Sequence, residues 1–153
     1  MGWDLRTLKK AFEFSHPHAP NDVTCVAAHP LQAAAAVGYG NGDVALFDVR
    51  GSGSLLHLMP LHTDQCRSVE FSPNGAYVAT AAFDCNVIIA DASTLAPTKV
   101  SARARLPFRP CSPRLQQLHA HRDKVVQAHW HPGLPLLLTC SVDKSLKLWS
   151  QPM

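Results

Sequence analysis

Charged side chains are sparse. Asp, Glu, Lys and Arg make up 16% of the 153 residues and leave a formal net charge of +3, well short of the dense basic surface that makes nucleic acid the default partner. Nucleic acid is therefore not an expected ligand. Long apolar runs are missing too. No stretch approaches the roughly 18 apolar residues of a membrane-spanning helix, and the opening MGWDLRTLKKAFEF lacks the apolar centre of a secretory signal, so no membrane association is expected. The chain opens Met1-Gly2, but Arg6 stands where a myristoylation signal has Ser or Thr. Cysteine is limited to Cys25, Cys66, Cys85, Cys111 and Cys140, an odd set without a CxxC pair. That spacing speaks against a disulfide framework. It implies a reducing intracellular compartment, cytoplasmic with the nucleus left open, in which the thiols act as small hydrophobes.

Chemistry-bearing patterns are thin as well. Cys and His are both present, yet no nucleophile falls on a strand-to-helix turn beside a base and an orienting acid. GYGNGD at 38–43 has the glycines of a phosphate loop but no following helix, and Asn41-Gly42 reads as a two-residue hairpin turn. Three His-x-His pairs, His16/His18, His119/His121 and His129/His131, would share a face on a strand, but no further ligands follow at zinc-like spacing. No enzymatic activity, metal or cofactor is expected.

What the chain does have is repetition, and enough apolar material, 46% of residues, for a core. Three segments align: VTCVAAHPLQAAAAVGYGNGDVALFDV from Val23, RSVEFSPNGAYVATAAFDCNVIIADA from Arg67, and VVQAHWHPGLPLLLTCSVDKSLKLWS from Val125. The step from Pro30 to Pro73 equals that from Asn41 to Asp84, and the longer step from Pro73 to Pro132 equals that from Asp84 to Asp143. The shorter step suits a four-stranded blade of roughly 40 to 45 residues, and the longer one implies an insertion in the second repeat. With no helix-length amphipathic segment between the short apolar runs, the architecture is expected to be all-β and antiparallel. Strands are expected at 7–14, 22–28, 34–39, 43–48, 54–59, 67–71, 76–82, 86–91, 115–119, 125–130, 135–141 and 145–150.

These residues resemble the WD40-repeat family. In that family a His before the first strand, a Ser or Thr on the second, an Asp in the tight turn and a Trp on the third form a hydrogen-bonded chain. The matching residues here are His121, Ser141 (or Thr139 on the same strand face), Asp143 and Trp149. The second repeat keeps His62 and Asp84 at the same separation as His121 and Asp143, with Ala90 in place of the Trp. The first has Asn41 for the Asp, Phe47 for the Trp, and His18 one place from the expected His.

The resemblance implies about three four-stranded blades of a partial β-propeller. Residues 1–17 would carry the outer strand of a preceding blade, 18–60 blade one, 61–119 blade two with an Arg/Pro-rich insertion at about 98–114, and 120–153 blade three without its outer strand. Propellers have about four to eight blades, so further blades from a longer chain, or self-association of two copies, are expected.

The implied role is a non-catalytic protein–protein interaction scaffold. A weaker likeness, centred on GYGNGDVALFDV and SVEFSPNGAYVATAAFDCNVII, to multi-propeller proteins of cilia and centrioles points to a cytoskeletal setting. Two sets of arginines are candidate partner contacts. Arg6 and Arg50 end Trp-Asp-x-Arg and Phe-Asp-x-Arg patterns like those of WD40 substrate receptors of cullin-RING ubiquitin ligases. Arg103, Arg105, Arg109 and Arg114 lie in SARARLPFRPCSPR, whose guanidinium groups suit an acidic polymer such as a tubulin tail or RNA.

Overall fold

The computed structural model describes residues 2–4, 6, 9–12, 21–50, 53–93, 117–119 and 121–150, with only the backbone path at 2–4, 9–12 and 117–119. These residues form strands β1 (Gly2–Asp4), β2 (Lys9–Phe12), β3 (Val23–Ala28), β4 (Ala34–Tyr39), β5 (Asp43–Asp48), β6 (Ser54–Pro60), β7 (Cys66–Phe71), β8 (Tyr77–Ala82), β9 (Asn86–Asp91), β10 (Gln117–His119), β11 (Val125–Trp130), β12 (Leu136–Ser141) and β13 (Leu146–Ser150). All pairings are antiparallel and give four sheets, ordered β1-β2, β3-β4-β5-β6, β10-β9-β8-β7 and β11-β12-β13. The all-β, bladed architecture is the one the repeats imply. Each run expected to be a strand contains one, and β1 adds a thirteenth, paired with β2.

The blades stack through their first strands. On β3 the Thr24 hydroxyl donates to the Cys66 carbonyl of β7. On β7 Ser68 Oγ donates to Ala128 O of β11 at 3.2 Å, and the Trp130 amide donates to Glu70 Oε2 at 3.0 Å. The pairing of first with second strand slips at one matching place in each blade, between Val23/Cys25, Cys66/Ser68 and Val125/Gln127. A bulge at a repeated position adds local twist, and here it recurs at the same two intervals as the turn residues.

Two apolar layers fill the junctions. Between blades one and two, Ala34, Ala36, Val44 and Leu46 meet Val69, Phe71, Val78 and Ile88. Between blades two and three, Ala79, Ala81, Val87 and Ile89 meet Val125, Ala128, Trp130 and Leu137. Middle strands covered on both sides have no polar face to alternate with, so all six residues of β4 are buried. Alanines there let the sheets approach closely.

Blade three is different. Its inner face, with Leu137 and Thr139, is buried, while Leu138, Leu146 and Leu148 on the other face are 36%, 64% and 58% exposed. Leu138 lies opposite Leu148 across the β12–β13 pair, so the three leucines form one apolar surface that no described residue covers.

Candidate functional site

Each of the two better-matched blades contains a buried polar relay. In blade three His121 precedes β11, Asp143 sits in the β12–β13 turn, and Thr139 and Trp149 project from β12 and β13. Asp143 Oδ2 is 3.0 Å from His121 Nδ1. A carboxylate only accepts, so Nδ1 carries the proton, shared with Ser145 Oγ at 3.0 Å. His121 Nε2 then accepts from the Thr139 hydroxyl at 2.9 Å, and the Trp149 indole N–H donates to Thr139 Oγ1 at 3.0 Å. Further donors to Asp143 are the Arg122 amide at 3.0 Å, and the Ser145 amide and hydroxyl at 2.9 and 2.6 Å.

The hydroxyl in this relay belongs to Thr139. Ser141 instead donates to Asp123 O at 3.0 Å and accepts the Asp143 amide at 3.1 Å, bracing the turn. Both residues lie on one strand face, two positions apart, and it is Thr139 that meets Nε2.

Blade two repeats the relay without the indole. His62 Nδ1 donates to Asp84 Oδ2 at 3.0 Å, and Thr80, which sequence reasoning did not single out, donates to His62 Nε2 at 2.8 Å. The Thr63 and Asn86 amides also donate to the Asp84 carboxylate, at 3.2 and 3.0 Å. Thr80 stands as far before Thr139 as His62 does before His121 and Asp84 before Asp143, and that shared interval is the signal that could have found it. In blade one Val37 and Asn41 occupy the Thr and Asp positions, and Asn41 turns to its own hairpin, bonding Asp43 at 2.7 and 3.1 Å.

The electrostatics agree with a structural role. Burial pushes the Asp84 carboxyl up, but hydrogen bonds from His62, Asn86 and Thr63 outweigh it and hold the carboxyl below its ordinary range. In Asp143 the Ser145 hydroxyl is the largest influence, joined against burial by the Arg122 and Ser145 amides and His121, and the carboxyl again falls well below its usual value. Hydroxyl, imidazole and carboxylate in line are also the parts of a nucleophilic triad. Here both imidazoles are fully buried, Thr80 and Thr139 are 0% and 1% exposed, and Trp149 occupies the blade-three hydroxyl, so a substrate has no approach.

The histidine pairs resolve differently. His131 Nδ1 accepts the Gly133 and Leu134 amides at 3.1 and 3.0 Å, and His29 does the same for Leu31 and Gln32 at 3.1 and 3.0 Å. They cap the turns of their His-Pro steps. His129 pairs with Glu70 at 2.9 Å across the blade junction. Among the described residues no three His, Cys, Asp or Glu side chains are placed to hold a metal.

Of the candidate arginines, Arg50 is exposed just past β5, its amide donating to Asp48 Oδ1 at 2.8 Å, and Arg6 is exposed between β1 and β2. Arg103, Arg105, Arg109 and Arg114, with the insertion that carries them, lie outside the described residues, as do His16 and His18.

The profile of the family described as "WD domain, G-beta repeat" matches residues 53–91 and 112–150, about half of the chain. The chain belongs to the WD40-repeat family. Each matched WD40 segment runs from an outer strand, β6 or β10, into the first three strands of the next sheet, so the insertion falls between two repeats. Among relatives, the chain is similar to the target of rapamycin complex subunit LST8 of Mus musculus, 26% identical over 96% of this chain and 42% of the relative. It is also similar to the WD repeat-containing protein 55 homolog of Drosophila persimilis, 36% identical over 47% of this chain and 14% of the relative. A third is the probable cytosolic iron-sulfur protein assembly protein Ciao1 of Culex quinquefasciatus, 47% identical over 24% of this chain and 11% of the relative. The chain thus spans less than half the length of the curated relatives it matches. WD40 repeats generally serve as non-catalytic scaffolds for binding other proteins, and these relatives share that frame while their names point to different settings.

Proposed function

We propose that the chain contributes about three blades to a cytoplasmic WD40 propeller that holds partner proteins, and that another WD40 blade covers the outer face of blade three. The supporting observation is the exposed apolar surface of Leu138, Leu146 and Leu148 on a sheet whose opposite face is buried against blade two. Both junctions already present pack one flat apolar sheet face on another, and a further blade is the occupant of matching shape. That blade comes from a longer chain or from a second copy. The likeness of GYGNGDVALFDV and its successor to ciliary and centriolar propellers supports a cytoskeletal setting. Hydrogen exchange tests the covering: amides of residues 136–150 gain protection with rising protein concentration, and Leu146→Asp with Leu148→Asp abolishes the gain. Protection independent of concentration in both proteins would remove the reading for the isolated chain.

A second reading, a substrate receptor of a cullin-RING ubiquitin ligase, is favoured by the exposure of Arg50 at the end of the Phe-Asp-x-Arg pattern. It predicts co-purification with a ligase adaptor that Arg50→Ala abolishes while the fold persists; unchanged association would remove it.

A further inference from the structure

Two of the thiols meet across the junction of blades one and two. Cys25 on β3 and Cys66 at the start of β7 bring their Sγ atoms to 3.9 Å, although they are far apart in sequence. Cys25 is partly exposed and Cys66 is buried. Packing does not call for sulfur at either place: at the next junction the repeat-equivalent positions are Ser68 and Val125, and that junction closes with a hydroxyl bond to Ala128.

The neighbouring strand lets the sulfurs approach. Gly38 on β4 lies against both, and a Cβ there would stand 2.5 Å from Cys25 Sγ and 2.8 Å from Cys66 Sγ. Any larger residue at Gly38 would push one sulfur away, so the glycine is what lets the two stand 3.9 Å apart, within a side-chain rotation of the bonding distance of about 2.05 Å. The blades themselves are held in place beside the pair, because the Thr24 hydroxyl bonds both Gly38 O and Cys66 O.

The thiols also differ in character. The hydrogen bond with Cys66 is the largest influence on Cys25 and, against burial, brings its pKa down to about 7, with Thr24, Gly38 and Arg67 contributing. The same hydrogen bond and burial push Cys66 up. The more exposed sulfur is the one with thiolate available at neutral pH, and thiolate is the nucleophilic form.

We propose that Cys25 and Cys66 are an oxidisable dithiol, which a hydroperoxide converts into a disulfide joining blades one and two. Cys25 thiolate attacks the peroxide O–O bond, taking one oxygen as a sulfenic acid and releasing the other as water or alcohol. Cys66 sulfur then attacks the Cys25 sulfur. The S–S bond forms, the S–O bond breaks, and the departing oxygen leaves as water with the Cys66 proton. In sum two thiols and one hydroperoxide give one disulfide, one alcohol (or water) and one water; the sulfurs lose two electrons and the peroxide oxygens gain them.

The full chain, reduced and then freed of reductant, is treated with equimolar hydrogen peroxide, blocked with N-ethylmaleimide and digested with trypsin without reduction. The principal product expected is peptide 11–50 joined to peptide 51–67 through Cys25 and Cys66, separable by dithiothreitol. In Cys66→Ser, which keeps a hydrogen-bond donor beside Cys25 but lacks the second sulfur, the joined pair is absent and Cys25 sulfenic acid accumulates, trapped by dimedone. Peroxide oxidation of the unsubstituted chain that falls first on Cys85, Cys111 or Cys140, or that gives Cys25–Cys25 dimers instead of the internal link, would overturn the proposal whatever the folding of the variant.

Discussion

Thr139 carries more of blade three than its size suggests, because it accepts from one neighbour and donates to another in a site closed to water. Replacing it with Val keeps the volume and leaves the Trp149 N–H and His121 Nε2 without their partner. Unfolding of Thr139→Val is expected at about 1–3 kcal/mol below the parent chain, since orphaned buried polar groups cost that much, and urea titration followed by circular dichroism reads it. The two depressed carboxyls set an acid limit. A carboxyl whose native pKa lies below its unfolded value contributes stability above that unfolded value, 3.8 for Asp84, and loses it as pH falls through the native one. The melting temperature is therefore expected to fall steeply below about pH 4, and in Asp84→Asn that part of the acid dependence should be missing.

At this scale the sequence is partly transparent. His62 with Asp84 and His121 with Asp143 are legible because the same strand offset separates each pair. Whether Ser141 or Thr139 supplies the hydroxyl is not legible, since both project from one face and only the distance to the imidazole chooses. The Cys25–Cys66 approach was hidden for another reason: the two residues occupy different positions of different repeats, and only the stagger of adjacent blades brings them together.

Among the elements, the hairpins between second and third strands show how one backbone shape is reached with different residues. Gly42, Cys85 and Lys144 hold the same place in the three turns and all lie at positive φ, 90°, 67° and 64°. Only glycine adopts that conformation without strain. Lys144 is exposed and its side chain lies outside the relay, so Lys144→Gly is expected to stabilise by about 0.5–1 kcal/mol, read as a rise in the urea midpoint. Gly42→Ala has the opposite sign. Its Cβ would meet His62 O at 2.4 Å, and the strain and clash together are expected to cost about 2–4 kcal/mol. Asn41-Gly42 announced its turn in the sequence, whereas the Cys85 and Lys144 turns were legible only through the repeated Asp before each. The insertion was legible as the lengthened second interval between repeats. Strand β10 returns from it to pair with β9, closing the second sheet at four strands.

For the whole molecule, the decisive feature is the difference between the two faces of blade three. Leu137 on the inner face is 1% exposed, while Leu146 on the outer face is 64% exposed. The repeats made the blades readable in the sequence, but which sheet face stays open depends on what lies beside it, and no strand's own residues encode that. As proposed above, the open face is a blade junction without its second half. Multi-angle light scattering of the purified chain, with and without Leu146→Asp and Leu148→Asp, tests this most directly. The expected result is a mass of two chains or more for the parent and one chain for the folded double variant; a parent that stays a single chain at high concentration and melts cooperatively would contradict it.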